Sequence, residues 1–378
     1  MTSREMPAAP ARDLPSRASP YRRLSDGGLE HLEILDQTRL PYQEHWLRLH
    51  CLDDAVHAIT HMQARGAPLI GLLGAYGIAL ALWNDASDPA LLSARARLSA
   101  ARPTAAHLDN ALNRICRRLT PLPAADRPKI AWREADAIAA EIAAECAAIG
   151  QHGLTLLRQW SEKRSGRPLQ IMTHCNAGYL ATPEYGTALA PVYAGLEAGI
   201  ESHLWVSETR PRNQGLLTAW ELARMGVPYT LTADNAAGLL LLQRRVDAVI
   251  VGADRIAANG DVVNKVGTSL KALAARRAGI PFYVAAPGET LDFSAKGGAD
   301  ILIENRDGEE LRVTHGIGQT GEITAQRQIA ENVAVYNPAF DITPAELVTG
   351  IITERGIAAA SAADLARMFP DAAAGESA

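Results

Sequence analysis

Two residues able to exchange protons stand at the ends of apolar runs. Cys175 lies in Thr173-His174-Cys175-Asn176-Ala177-Gly178, and Asp254 lies in Val251-Gly252-Ala253-Asp254-Arg255-Ile256. A thiol at a turn that enters a helix would be biased toward thiolate and would serve as an acid or base. The competing reading is a small buried hydrophobe. Aspartate is disfavoured inside a strand, so one at a strand's end is an acid–base group, a partner for Arg255 or a helix cap. In a water-poor pocket its carboxyl would titrate closer to neutrality. His174 makes a poor partner for Cys175, because adjacent strand residues face opposite ways.

Cations and amides gather in three further segments. Arg65-Gly66-Ala67-Pro68 joins two apolar helical stretches, with proline suited to a first helical turn; exposed amides beside an arginine would seat a phosphate. An ordinary interhelix turn reads the same way. Asn264-Lys265 follows Ala257-Ala258-Asn259-Gly260-Asp261 and reads as a loop cation beside an amide, or as a solvated lysine. Arg210-Pro211-Arg212-Asn213-Gln214-Gly215 concentrates two arginines and two amides before a helix, which suits a polyhydroxyl, phosphorylated ligand. No phosphate-binding Gly-x-x-x-x-Gly-Lys-Ser/Thr or Gly-x-Gly-x-x-Gly follows a strand, so nucleotide and dinucleotide cofactors lack support.

The elements around these residues change character along the chain. From about residue 28 to 165 the apolar pattern is mostly helical. Leu108, Leu112, Ile115 and Leu119 form one stripe; Ile138, Ile142, Cys146, Ile149, Gly153, Leu157 and Trp160 continue at steps of four and three. Cys116 and Cys146 read as core fillers. Residues 32–35 and 46–49 have the makings of a small sheet. After about 166, short apolar runs at 169–173, 202–206, 228–233, 248–251 and 281–286 alternate with helix-length segments such as 217–225 and 270–279. That alternation specifies an α/β fold with a doubly wound parallel sheet, whose ligands bind beyond the C-terminal strand ends. Those ends carry His174-Cys175-Asn176, Glu208-Thr209-Arg210, Asp234-Asn235 and Gly252-Ala253-Asp254-Arg255.

The whole chain has 378 residues, 48% hydrophobic and 21% charged, with a net charge of −5. The length suits roughly two to three domains, and the acidic balance argues against nucleic-acid binding. Four scattered cysteines, Cys51, Cys116, Cys146 and Cys175, form no Cys-x-x-Cys pair; this points to a reducing cytoplasm without disulfides or a metal site. The apolar run 68–83 falls short of the ~20 residues that cross a bilayer and reads as a core helix, not a membrane anchor. The N-terminus lacks the apolar stretch of a secretory signal. Residues 1–26 and 366–378 read as flexible tails, 27–165 as a mainly helical domain and 166–365 as the catalytic domain.

Taken in order, the motifs resemble one family over roughly residues 30 to 358. They are Arg65–Gly71, Arg102-Pro103-Thr104-Ala105, Thr173–Gly178, Glu208–Gly215, Gly252–Asp261 and Asn337-Pro338-Ala339-Phe340-Asp341. The chain is similar to the 5-methylthioribose-1-phosphate isomerases of methionine salvage. The resemblance implies a helical domain on a Rossmann-like domain, a homodimer, and a cofactor-free aldose–ketose conversion of a small phosphorylated sugar. It carries over Cys175 and Asp254 as the catalytic pair, and Arg65, Gly66, Ala67, Arg102, Gln214, Asn264 and Lys265 as substrate contacts. Both proton and hydride transfer between C2 and C1 fit these residues. Several positions depart from the family pattern: Ser207 before Glu208, a shortened Gln214–Thr218 stretch lacking an arginine, Ala106-His107 after the Arg-Pro-Thr-Ala motif, and Gly288-Glu289 after Pro287. They bear on the choice among 5-methylthioribose 1-phosphate, 5-deoxyribose 1-phosphate and ribose 1,5-bisphosphate. A non-catalytic relative of the regulatory alpha, beta and delta subunits of the guanine-nucleotide-exchanging translation initiation factor is the alternative of another class.

Overall fold

The computed structural model describes residues 19–103, 105–164 and 166–375. The chain opens with three antiparallel strands, β1 (Tyr21–Asp26), β2 (Leu29–Leu35) and β3 (Trp46–Leu49). The tail expected over 1–26 therefore ends earlier, because Tyr21–Asp26 pairs with Leu29–Ile34; residues 1–18 of that expectation lie outside the described residues. β1 escapes a reading by pattern because it is short and mostly polar, so only its partner looks like a strand.

Five helices follow: α1 (Leu52–Thr60), α2 (Ala67–Asn84), α3 (Asp88–Ala101), α4 (Ala106–Leu119) and α5 (Arg127–Glu162). α2 is apolar on every side, as a helix surrounded by others must be. It packs against α1, α3, α4 and α5. By length and composition it would pass as a membrane span, yet 72% of it is buried within the protein. Cys146 lies in this core and Cys116 packs against it. α5 runs for 36 residues. Its Ile138, Ile142 and Cys146 enter the helical core, whereas its Ile149 and Leu157 enter the core beneath the main sheet. One helix thus belongs to both hydrophobic centres.

The second half alternates strand and helix, as its apolar rhythm indicates. It contains β4 (Leu169–Thr173), α6 (Ala190–Glu197), β5 (Ser202–Ser207), α7 (Gln214–Arg224), β6 (Tyr229–Thr232), α8 (Ala236–Leu242) and β7 (Ala248–Val251). Next come β8 (Arg255–Ala257), β9 (Val262–Lys265), α9 (Thr268–Ala278), β10 (Phe282–Ala285) and β11 (Leu291–Asp292). The chain continues with α10 (Glu309–Arg312), β12 (Val313–Ile317), β13 (Ile323–Arg327), β14 (Phe340–Thr343), β15 (Gly350–Thr353) and β16 (Gly356–Ala358). It closes with α11 (Ala362–Met368) and α12 (Pro370–Ala373), so the tail expected over 366–378 is mostly helical as far as 373; its residues 376–378 lie outside the described residues.

The main sheet has the order β16-β15-β10-β7-β4-β5-β6, parallel except for β16. Strand order therefore reverses between β4 and β7, where Ile171 and Met172 pair with Ala248 and Val249. Such a switch point opens a crevice at the C-terminal strand ends. A smaller sheet, β11-β8-β9-β14, hangs from the end of β7. It corrects one sequence expectation: Asn264 and Lys265 are not loop residues but the end of β9, both buried. Asn259-Gly260 is the turn of the β8–β9 hairpin, a signal masked by strands of only three and four residues.

Candidate active site

A cavity of about 540 Å³ lies over the switch point, between the helical half and the sheet. All nine residues singled out above line it: Arg65, Gly66, Ala67, Arg102, Cys175, Gln214, Asp254, Asn264 and Lys265. β4 delivers Cys175, β7 delivers Asp254 and β9 delivers Asn264 and Lys265. The starts of α2 and α7 supply Gly66, Ala67 and Gln214.

Cys175 is half-buried at the cavity wall and held at φ 64°, a left-handed conformation that is costly for a residue with a Cβ. Its backbone N–H donates to Thr209 Oγ1 at 2.9 Å, and its carbonyl accepts from Thr218 Oγ1 at 2.8 Å. Thr209 is itself at φ 66°, and its N–H donates to Asp234. The chain next to the thiol is therefore bent into shape by its neighbours. A correction follows. No α-helix starts after Cys175; a single 3-10 turn at Tyr179–Ala181 intervenes before α6. Without a helix dipole, burial dominates and pushes the thiol above its usual range, with Lys265 pulling the other way. The balance favours the neutral thiol over the thiolate.

His174 does not serve Cys175. Its Nε2–H donates to the Val266 carbonyl at 2.8 Å, and its Nδ1 faces Thr209 Oγ1 at 3.3 Å. Burial, then the Lys271 charge, pushes it down to about 3 and keeps it neutral.

Asp254 anchors its backbone to Val263, its N–H donating to that carbonyl at 3.0 Å. Burial raises its carboxyl above the ordinary range; Lys265 and Arg102 oppose the rise. Asp254 is neither a partner for Arg255 nor a helix cap, since Arg255 pairs with Asp292 at 3.4 Å and no helix begins at this point. Burial lowers Lys265, and the neighbouring Cys175 and Asp254 oppose that shift.

The cations divide into two sets. Arg212 is neutralised by Glu310 at 2.7 Å, and Arg306 by Glu310 and Glu304 at 2.8 and 2.9 Å. Among the described residues, Arg65, Arg102 and Lys265 have no carboxylate in ion-pair contact. Burial, Arg212 and Arg102 push Arg65 down to about 10, and burial and Arg306 lower Arg102. Three crowded cations without a carboxylate in direct contact suit an anion. Arg65 Nε and Gln214 Oε1 are also buried without hydrogen-bond partners. A polar ligand would satisfy both.

Gly66 carries the geometry of this seat. At φ 98° it starts α2, and a Cβ there would lie 2.4 Å from the Ala181 backbone. Only glycine lets α2 press against the turn that follows Cys175.

Sequence reasoning alone misses Glu304, Arg306 and His107 on the cavity wall. Glu304 and Arg306 come from the irregular excursion between β10 and β14, where no periodicity marks them. His107 stands out in the sequence only as a departure from the family pattern, as does Glu289. The two approach to 4.0 Å; His107 lines the cavity and Glu289 does not. Among the described residues no group of three His, Cys, Asp or Glu is arranged to hold a metal ion.

Comparison with known proteins places these residues in a family. The model of the Initiation factor 2 subunit family matches residues 63–360. The chain is 58% identical over 361 residues to a methylthioribose-1-phosphate isomerase of Dechloromonas aromatica, covering 95% of this chain and 97% of that protein. It is 51% identical to one of Rhodospirillum centenum, covering 90% and 91%. Among solved structures, 5-methylthioribose 1-phosphate isomerase of Pyrococcus horikoshii aligns with a TM-score of 0.80 and 36% identity, over 93% of this chain and 96% of that one. The delta subunit of translation initiation factor eIF-2B from A. fulgidus aligns with a TM-score of 0.77 and 35% identity, over 92% and 98%.

Proposed function

The chain belongs to the Initiation factor 2 subunit family, and from that premise we propose that it converts 5-methylthioribose 1-phosphate into 5-methylthioribulose 1-phosphate. This makes it a sugar-phosphate aldose–ketose isomerase of methionine salvage; its relatives are named methylthioribose-1-phosphate isomerase. The observation that favours an enzyme over a regulatory subunit is the cavity itself. A thiol and a carboxyl, both shifted toward their protonated forms, face three cations that lack carboxylate partners.

Arg65, Arg102 and Lys265, with the amides at Gly66 and Ala67, hold the C1 phosphate in this reading; Gln214 and Asn264 hold hydroxyls. The phosphate on C1 prevents spontaneous opening to an aldehyde, so the site must open the ring itself. Asp254, protonated more readily than an ordinary aspartate, gives a proton toward the ring oxygen and serves as base on the return. Cys175 stands as the second proton carrier, and Lys265 stabilises charge on either. The balance closes internally: the bond from C1 to the ring oxygen breaks as that oxygen takes the Asp254 proton, the carboxylate so formed takes the C2 hydroxyl proton, and the C2 hydrogen passes to C1. No outside oxidant or reductant is needed.

An uncharged 5-substituent fits the charge distribution better than a second phosphate, because Arg212, Arg306 and Arg255 are already paired. Division at about residue 165 into two domains that close on the site, a homodimeric assembly and a cytoplasmic location are parts of the same proposal. The test is turnover of 5-methylthioribose 1-phosphate by the parent chain and by Cys175→Ser and Asp254→Asn. Each variant is expected to lose ~10²–10⁴-fold while staying folded. Near-parental rates in either would remove that residue from the chemistry.

A further inference from the structure

Behind the Cys175 turn lies a carboxylate with no role in the reaction just described. Glu221 on α7 is fully buried. Its Oε1 accepts from Asn176 Nδ2 at 2.9 Å and from Leu180 N–H at 2.8 Å. Its Oε2 accepts from Tyr179 N–H at 2.9 Å and from Tyr193 O–H at 3.1 Å. None of these partners is a cation. Burying a carboxylate on neutral donors alone is costly, and burial does push this one up to about 7. A packing role would be met more cheaply by an apolar side chain.

What the four bonds do is hold one turn. Three of the donors belong to residues 176–180, directly after the thiol. Gly178 passes so near the carboxylate that a Cβ there would lie 1.8 Å from Oε2. Thr218, one turn earlier on the same helix, binds the Cys175 carbonyl and receives the second Asn176 N–H at 3.2 Å. Gln214, a further turn back, lines the cavity. Positions 214, 218 and 221 share one face of α7. That face reaches from the cavity to the backbone of the thiol.

We propose that Glu221 is the positioning residue of Cys175, clamping the 176–180 turn so that the strained left-handed conformation at Cys175 persists and the sulfur stays in the cavity. Its effect on turnover rests on the isomerase reading above; its effect on the thiol does not.

The experiment uses the full chain with Glu221→Gln, which keeps the volume but replaces one acceptor with an amide donor, and Tyr193→Phe, which removes one donor remote from the cavity. Iodoacetamide labelling of Cys175 is followed by peptide mass spectrometry, beside kcat and KM. In Glu221→Gln the labelling rate of Cys175 is expected to change about tenfold and kcat to fall about 100-fold, the scale of a misplaced reactive group, with KM within about twofold. Tyr193→Phe should move both in the same sense by less, and decides the matter if Glu221→Gln does not fold. Folded variants with parental labelling of Cys175, or with a raised KM at unchanged kcat, would overturn the proposal. If the parent chain fails to turn over the sugar phosphate, the labelling rates still decide the positioning role, and the isomerase reading falls separately.

Discussion

Cys175 and Asp254 share a wall whose burial works against charge, and that shapes both their chemistry and their stability. The thiol is raised above its usual range. Cys175 should therefore react with iodoacetamide at pH 7.5 more slowly than free cysteine; a faster reaction would indicate a resting thiolate and a different role. For Asp254 the sign is that of an acid whose folded value lies above its unfolded one. Its contribution to stability is complete below the ordinary carboxyl range and fades as pH rises through the folded value. Asp254→Asn should consequently melt no lower than the parent at pH 7, by scanning calorimetry, although activity is lost. A large drop in melting temperature would mean the charged carboxylate supports the fold. Both residues are visible in the sequence because an acid and a thiol at strand ends answer no packing need. How far burial raises the Cys175 thiol is not visible there, nor is it visible that only a 3-10 turn, not an α-helix, follows Gly178.

Elements decide how these side chains meet, and here the sequence speaks unevenly. Strands β4, β5, β7 and β10 are legible because parallel strands covered on both faces are nearly continuous apolar runs. β8, β9, β11 and β14 are not, since strands of two to four residues leave no periodicity to read, and so Lys265 passes for a loop cation. The helix α2 is set by Gly66, and Gly66→Ala should destabilise the chain by more than the ~1–3 kcal/mol of a strained φ alone, because the methyl would meet the Ala181 backbone. Denaturant melts would measure it; a loss under about 1 kcal/mol would show that the turn can yield. On α5, burial followed by the charges of Glu354 and Glu289 raises Glu145 from the usual 4.5 to about 8. That group stabilises the fold fully below 4.5 and progressively less as pH climbs toward 8. Glu145→Gln should leave melting at about pH 4.5 nearly unchanged and raise it at about pH 8. Equal shifts at both would exclude titration of Glu145 as the cause.

For the molecule as a whole, the site exists only because the helical half supplies Arg65 and Arg102 to thiol, carboxyl and lysine from the sheet. Neither half alone holds all three cations of the proposed anion seat. Arg102→Ala should raise KM by about 10–150-fold, the equivalent of ~1.5–3 kcal/mol for one charge-assisted bond, with a smaller change in kcat. An unchanged KM would move the phosphate toward Arg210–Gly215. In the proposed reading the cations not already paired with carboxylates serve one phosphate, and the far end of the cavity takes an uncharged group. Competition among 5-methylthioribose 1-phosphate, 5-deoxyribose 1-phosphate and ribose 1,5-bisphosphate, with products identified by proton NMR, tests this most directly. The methylthio sugar is expected to have the highest specificity constant, with the deoxy sugar lower by a modest ~10–200-fold. A highest value for ribose 1,5-bisphosphate, or no ketose from any of the three, would contradict it.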